Sequence, residues 1–230
     1  MLESWSSRVD WCVPFGEPRQ SSRQSISRLL LITFRIVTSK GGLLLWWKND
    51  VKFSILHSAK NIIDCELSIN GEEDWFYGFI YGPPYEDENE AFWESLSTIR
   101  SNSQSKWCIV GDSNIVVKAE DKMGGVPFEP SQAKWFFDFL NKSCMMELLI
   151  QGGMFTCSNQ RSDDDVMVEK LDRILSSLEW SEMFPKALGV LDVSMASDHA
   201  PIILFLQGIS KRCKKDFKFE SKWFIKEDCF

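Results

Sequence analysis

The sequence predicts an α+β fold in which two β-sheets pack together and helices cover the outside. From Gly41 onward, short apolar runs are separated by turn residues, and two segments carry apolar residues at helical spacing. The chain has 230 residues, of which 44% are hydrophobic, with 17 Phe and 10 Trp. It can therefore bury the core of one full domain.

The first predicted elements are strands that lead into a hairpin. Apolar runs between turn residues indicate strands at residues 43–47, 51–57 and 62–69. Asn70-Gly71 follows the third of these runs and precedes another alternating segment at residues 74–81. This dipeptide favours a tight turn with positive φ, so we expect the two flanking strands to pair.

A strand-helix-strand unit comes next. Residues 86–100 have Phe92, Leu96 and Ile99 at helical spacing, and they lie between the strand at residues 74–81 and an apolar run at residues 106–110. We therefore expect a helix that joins two strands of one sheet.

The second half of the chain alternates in the same way. A second helix is indicated by four apolar residues that would share one face, with Ser131 as the expected N-cap: Trp135, Phe136, Phe139 and Leu140. Further strands are expected near residues 154–158, 170–176, 188–193 and 201–206, with a short helix around residues 179–184. Residues 1–39, rich in Ser and Arg, show no strand or helix period of any length.

Composition excludes several classes of protein. The net charge of −7 argues against a protein that coats nucleic acid through overall basicity. It still permits an enzyme that binds nucleic acid at one face. Seven cysteines form no CxxC pair, which argues against a disulfide framework and a structural zinc site and favours a reduced, intracellular compartment. No apolar stretch approaches the roughly 20 residues that cross a bilayer, so we expect no membrane association.

Two polar motifs stand at expected strand edges. Gly111-Asp112-Ser113-Asn114 ends the apolar run at residues 106–110, and Ser197-Asp198-His199 precedes the run at residues 201–206. Phosphodiester hydrolysis needs carboxylates for a hard divalent cation, a group that orients water, and donors for charge on phosphorus. Each motif also has a structural interpretation: an Asx turn for the first and a structural histidine for the second.

Two more residues extend this set. Asp172 lies between apolar positions, so a buried carboxylate there needs a partner, which is either His199 or a surface pairing with Arg173. Tyr81 ends a strand before the rigid turn Gly82-Pro83-Pro84 and either offers its hydroxyl to a phosphate or belongs to the core.

The order of these residues along the chain resembles the endonuclease/exonuclease/phosphatase superfamily, which includes DNase I-like nucleases. More narrowly, four segments look like the endonuclease region of plant LINE-type (non-LTR) retrotransposons: residues 41–46, 80–84, 155–159 and 170–173. Residues 217–223 also resemble the segment that leads toward the reverse transcriptase of those elements.

The resemblance implies a four-layer αββα sandwich, Mg²⁺ or Mn²⁺ as cofactor, and DNA as substrate in an intracellular, plausibly nuclear, setting. It assigns each site residue a role. Asp198 would bind the metal, His199 would contact the scissile phosphate or activate water, and Asp172 would orient His199. Asp112 and Asn114 would position water and phosphate, and Tyr81 would contact the phosphate.

The N-terminal part departs from that family. Its first asparagine motif and its metal-binding glutamate have no counterpart before Gly41, where Glu3 and Glu17 are the only glutamates. We expect residues 1–40 to be an unassigned, truncated or replaced part, residues 41–207 to form the endonuclease/exonuclease/phosphatase-like domain, and residues 208–230 to be a basic tail or linker. The candidate functions are a nuclease with an impaired site, an inactive relic or binding module, and a phosphatase of the same superfamily. The sequence identifies no protein partners.

Overall fold

The computed structural model describes residues 9–10, 31–36, 43–47, 52–68, 75–102, 106–161, 165–192 and 197–209. The helices in this part of the chain are α1 (Asn89–Asn102), α2 (Lys134–Ser143) and α3 (Leu178–Met183). The first seven strands are β1 (Val9–Asp10), β2 (Leu31–Ile36), β3 (Leu43–Trp47), β4 (Lys52–Ala59), β5 (Ile62–Ser68), β6 (Trp75–Tyr81) and β7 (Trp107–Asp112). The remaining strands are β8 (Lys122–Met123), β9 (Met145–Glu147), β10 (Ile150–Gln151), β11 (Cys157–Ser158), β12 (Val168–Glu169), β13 (Asp172–Ser177), β14 (Leu188–Leu191) and β15 (Ile202–Phe205).

The largest sheet has six strands in the order β4-β5-β6-β7-β13-β9. Strands β6 and β7 are parallel and α1 connects them, which confirms the predicted strand-helix-strand unit. The other neighbours in this sheet are antiparallel. Strands β5 and β6 pair with Leu67 opposite Trp75, as the hairpin prediction requires, while the turn at Asn70-Gly71 lies outside the described residues.

Helices α1 and α2 cover one face of this sheet. Trp93 and Leu96 of α1 and Phe136 of α2 are buried in one apolar cluster with Trp107 and Ile109 of β7. Alternate residues of each strand point to opposite faces, so this cluster takes the odd-numbered positions of β7. The helices therefore form one outer layer of the sandwich.

The opposite face of the six-stranded sheet packs against a second layer of strands. Tyr77 of β6 and Ile174 of β13 belong to a cluster that also contains Leu45 of β3, with Ile202 and Leu204 of β15 packed against it. Strand β15 is part of the sheet β10-β14-β15, and β3 is part of the sheet β1-β2-β3. Two layers of strands thus pack together, with α1 and α2 outside, which confirms the predicted α+β sandwich.

Some predicted elements need correction. Residues 1–39 show no strand or helix period in the sequence and are left unassigned, yet β2 pairs antiparallel with β3, with Leu31 opposite Trp47. The β-branched and aromatic residues of β2 suit a strand, but the unbroken apolar run at residues 29–32 hides any alternation.

Two boundaries also differ from the prediction. The expected strand at residues 154–158 is reduced to Cys157–Ser158, because the chain bends at Met154 and again at Thr156. Ser131 does not cap α2. It lies inside a short 3₁₀ turn, Pro130–Ala133, in which the Glu129 amide donates to Gln132 Oε1 at 3.2 Å.

The described residues contain no helix with both the length and the apolar character that crossing a bilayer requires.

The helix-covered cluster predicts a clear difference between two positions of α1. Leu96 is fully buried and Glu94 is exposed. Leu96→Ala should lower the free energy of unfolding by about 2–5 kcal/mol, because it removes buried methyl groups and leaves a cavity. Glu94→Ala should change it by less than about 0.5 kcal/mol. Urea denaturation followed by circular dichroism measures both, and equal effects would contradict the packing of α1 on the sheet.

Candidate active site

Strand register brings three of the sequence-predicted residues into one row at one end of the large sheet. Tyr81 of β6 lies opposite Asp112 of β7, and Asp112 lies opposite Asp172 of β13. Residues that pair directly across strands share a face of the sheet. The three side chains therefore start from neighbouring backbone positions, although they are far apart in sequence.

Two glycines allow the backbone to pack closely at this end. Gly111 has φ of +144°, and a Cβ there would lie 2.1 Å from the Ile80 carbonyl oxygen. At Gly82 a Cβ would lie 2.2 Å from the Ser113 carbonyl oxygen. The Gly82 amide donates a hydrogen bond to the Asp112 carbonyl at 2.7 Å. Any side chain at either glycine would push the ends of β6 and β7 apart.

The loop after β7 holds Asp112 in a fixed orientation. The Asn114 amide donates to Asp112 Oδ1 at 2.8 Å, and Asn114 Nδ2 donates to the Gly82 carbonyl at 2.7 Å. Asn114 has φ of +50°, a conformation that asparagine tolerates better than most residues. Ser113 Oγ donates to the Leu171 carbonyl at 2.6 Å and ties the loop to the start of β13. The Asx turn expected from the sequence is thus present, and it orients the Asp112 carboxylate.

His199 lies between two aspartates of the row. Its Nδ1 is 2.8 Å from Asp172 Oδ2, and its Nε2 is 3.9 Å from Asp112 Oδ2. The imidazole is mostly buried. Of the two partners considered for Asp172, the structure has His199, and the surface pairing with Arg173 is wrong.

The surroundings of His199 favour its charged form. Burial by itself would lower the pKa of the imidazole. Hydrogen bonds with Asp172 and Cys157 and the negative charges of Asp172 and Asp112 outweigh burial and raise the pKa of His199 to about 12. These contacts therefore favour the protonated imidazole in metal-free protein.

A short segment, residues 156–158, connects the row of Tyr81, Asp112 and Asp172 to the residues around His199. Thr156 Oγ1 accepts hydrogen bonds from the amides of Leu171 and Asp172, both at 3.0 Å. On its other side, the Thr156 carbonyl accepts from the Ala200 amide at 2.7 Å. The sequence did not identify Thr156 as a site residue. Its only signal was its place in the segment at residues 155–159 that resembles the retrotransposon endonucleases.

Asp198 differs from the other candidates because it is exposed. Ser197 Oγ lies 3.4 Å from Asp198 Oδ1, and the His199 amide donates to Ser197 Oγ at 3.0 Å, which bends the chain at this point. The Asp198 carboxylate approaches His199 and Cys157, and the ligand atoms of these three residues lie within 4.8 Å of one another. A second such group is formed by Asp112, Asp172 and His199.

These donors fit a hard divalent cation. Mg²⁺ binds proteins through one or two carboxylates and completes its octahedral shell with water and substrate phosphate oxygens. Asp112, Asp172 and Asp198 place three carboxylates near His199, within the described part of the chain. Glu3 and Glu17, the glutamates considered in the sequence, lie outside the described residues.

Behind the row, on the helix-covered face, Arg173 is completely buried. Its guanidinium donates to Asp121 Oδ2 at 2.7 Å and to Glu147 Oε1 at 3.0 Å, and it lies over the Phe136 ring at 5.3 Å. Alternation along β13 sends Asp172 and Arg173 to opposite faces. Sequence reasoning missed this network, because nothing in the local pattern marks Asp121 or Glu147 as its partners.

Comparison with known proteins places the fold. No protein-family model and no curated protein sequence matches the chain. The endonuclease domain of TRAS1, a telomere-specific non-LTR retrotransposon, has a similar structure, with a TM-score of 0.58 at 12% identity over 86% of this chain and 79% of that one. Beta toxin from Staphylococcus aureus gives 0.50 at 15% identity over 71% and 67% of the two chains. An endonuclease/exonuclease/phosphatase family protein from Bacteroides thetaiotaomicron gives 0.43 at 10% identity over 70% and 68%.

The first two of these likenesses, together with the observed sandwich, confirm the predicted α+β DNase I-like fold. At such low identity they show the fold alone.

The buried Arg173 network predicts a large effect on stability. Arg173→Met should lower the free energy of unfolding by about 3–5 kcal/mol, because it leaves the Asp121 carboxylate buried without its guanidinium partner. Lys134→Met, which removes the exposed pair of Lys134 with Asp138, should cost less than about 1 kcal/mol. Urea denaturation compares the two variants. Similar decreases in the free energy of unfolding would contradict a stabilising role for the buried Arg173 ion pairs.

The charged state of His199 predicts how stability depends on pH in metal-free protein. The pKa of His199 is raised on folding, so its protonated ring contributes fully to the free energy of unfolding below the unfolded-state pKa of about 6.5. That contribution is lost as pH rises toward the folded-state pKa of about 12. The difference in unfolding free energy between wild type and His199→Gln should therefore shrink from about pH 6 to about pH 9. His57→Gln, on the exposed strand β4, is the matched control. A difference that grows with pH would refute the charged imidazole.

Proposed function

We propose that this chain is a divalent-metal-dependent phosphodiesterase of the endonuclease type that hydrolyses DNA. One observation carries the proposal: Asp112, Asp172 and His199 converge at one end of the sheet, with His199 2.8 Å from Asp172 and 3.9 Å from Asp112. A fixed carboxylate beside a charged imidazole provides a proton acceptor and a hydrogen-bond donor at adjacent points, which is what hydrolysis of a phosphodiester needs.

The roles follow from the charges. Asp112 orients the attacking water and accepts its proton, and Asn114 keeps that carboxylate in place through its backbone amide. His199 donates from Nε2 to a non-bridging phosphate oxygen, where negative charge builds up during attack. Asp172 holds Nδ1 and so fixes the ring and its charge.

Two further residues act at the rim of this site. Asp198 is exposed and offers its carboxylate to a Mg²⁺ or Mn²⁺ ion, which when bound neutralises charge on the phosphate and lowers the barrier to its attack. Tyr81 lies in register with Asp112 and borders the phosphate position.

DNA as the substrate is supported by two features of different kinds. The fold is similar to that of a retrotransposon endonuclease domain, and the sequence segments around Tyr81, Thr156 and Asp172 resemble those of plant LINE-type elements. A retrotransposon origin and a nuclear site of action follow from the same proposal.

Nicking of supercoiled plasmid tests the proposal. Wild type should nick in the presence of Mg²⁺ or Mn²⁺ and should stop when EDTA is added. Asp112→Asn should reduce the rate by about 10²–10⁴-fold, since it removes the proton acceptor. His199→Gln should reduce it by about 10²–10³-fold, since it removes charge stabilisation. Asp138→Asn, on a partly exposed position of α2, is the matched control and should keep the wild-type rate.

The other outcomes of this experiment each overturn the proposal. Absence of nicking with either metal would identify an inactive relic or binding module. Hydrolysis of a soluble inositol phosphate in preference to DNA would identify a phosphatase. Full activity of Asp112→Asn would place the chemistry elsewhere in the chain.

A further inference from the structure

We propose that Cys157, Asp198 and His199 form a binding site for a thiophilic divalent cation, of which Zn²⁺ is the biological example. Their sulfur, carboxylate oxygen and ring nitrogen lie within 4.8 Å of one another. Cysteine, histidine and aspartate are the ligands that Zn²⁺ takes in proteins, and three protein ligands with a fourth position for water make an open zinc site. A search for CxxC spacing in the sequence does not find such a site, because its ligands come from separate segments.

The backbone fixes two of these ligands against each other. Cys157 and His199 form an antiparallel bridge, flanked by hydrogen bonds from the Ser158 amide to the Asp198 carbonyl at 2.8 Å and from the Ala200 amide to the Thr156 carbonyl at 2.7 Å. This is the non-hydrogen-bonded type of pair, in which the two side chains lie closest and on the same face. The thiol and the imidazole are therefore held side by side.

Asp172 completes the arrangement around His199. Its carboxylate accepts from Nδ1 at 2.8 Å, and in zinc sites a carboxylate in this position fixes the ring so that Nε2 is the ligand atom. Binding replaces the Nε2 proton by the cation, so positive charge stays beside Asp172 and Asp112. The carboxylates of Asp172 and Asp112 beside the ring therefore favour a bound cation.

The third ligand can adjust to the cation. Zn–S and Zn–N bonds of about 2.3 and 2.0 Å place tetrahedral ligand atoms about 3.5 Å apart, inside the 4.8 Å within which the three ligand atoms lie. Asp198 is exposed and Cys157 is half-buried, so rotation of these two side chains can adjust the atoms to the cation.

The donor set separates this site from that of the hard cation. A thiolate prefers Zn²⁺ or Co²⁺, whereas Mg²⁺ selects oxygen ligands. If the proposed function holds, the two sites compete, because both use Asp198 and the thiophilic cation also occupies His199. Zn²⁺ would then inhibit the hydrolysis that Mg²⁺ supports.

Cobalt spectroscopy on the full metal-free chain tests the binding itself, independently of catalysis. Co²⁺ titrated into wild type should give a thiolate-to-cobalt charge-transfer band together with the visible bands of tetrahedral Co²⁺. Cys157→Ser should lose the charge-transfer band. Cys144→Ser, at an exposed cysteine away from the cluster, is the matched control and should retain it.

A second pair of variants keeps the test decisive if Cys157→Ser folds poorly. Asp198→Asn should keep the charge-transfer band but bind Co²⁺ at least about tenfold more weakly, and Asp172→Asn should weaken binding by about 10–100-fold. A band that persists in Cys157→Ser, a band lost in Cys144→Ser, or unchanged affinity in Asp198→Asn would each overturn the site.

Plasmid nicking then tests the inhibitory consequence, which rests on the proposed function. Zn²⁺ added to the Mg²⁺ reaction should slow wild type and Cys144→Ser, and should slow Cys157→Ser much less relative to that variant's own rate. Cobalt binding without any nicking activity would leave the cation site standing and refute the hydrolase. Equal inhibition of Cys157→Ser would refute competition through this site.

Discussion

The site depends on the register of three neighbouring strands. Because β6, β7 and β13 align Tyr81, Asp112 and Asp172 in one row, a phenol and two carboxylates start from adjacent backbone positions at one sheet end. Gly111 permits this alignment, since a Cβ there would meet the Ile80 carbonyl. A slip of one residue in any of the three strands would send a site residue to the opposite face. The geometry of His199 then follows, because its ring is held between the two carboxylates.

Strand β13 serves both the site and the core through simple alternation. Asp172 faces His199, while Arg173, one residue on, is buried on the helix-covered face with Asp121 and Glu147. These ion pairs anchor the start of β13 to the segment between β7 and β8 and to the edge strand β9. The position of Asp172 is thus set from two sides, by Thr156 on one and by the buried guanidinium of Arg173 on the other. The charged site residues Asp172 and His199 and the buried ion pairs of Arg173 therefore lie on opposite faces of β13.

Local patterns in the sequence were sufficient to predict most of the helices and strands and the polar residues at the strand ends. Residues 43–47 form the predicted strand, and Asp112 and Asp172 stand where apolar runs stop or start. Long-range pairings were not predictable, because the partners of Arg173 and the antiparallel pairing of β7 with β13 have no local signal. The cap at Glu129 and strand β2 were missed for a different reason: several residue types can serve as caps, and a continuous apolar run shows no period.

We propose that Asp172 and Asp112 hold His199 as a charged phosphate-binding group. The chain has only two histidines, so nitrogen-15 spectra of the metal-free protein can assign both, with the exposed His57 as an internal reference. We expect His199 to be protonated on both nitrogens near neutral pH, to revert toward a neutral ring in Asp172→Asn, and to shift saturably when a phosphorothioate oligonucleotide is added, while His57 stays unchanged. A neutral His199 whose resonances do not respond to the oligonucleotide would contradict the account.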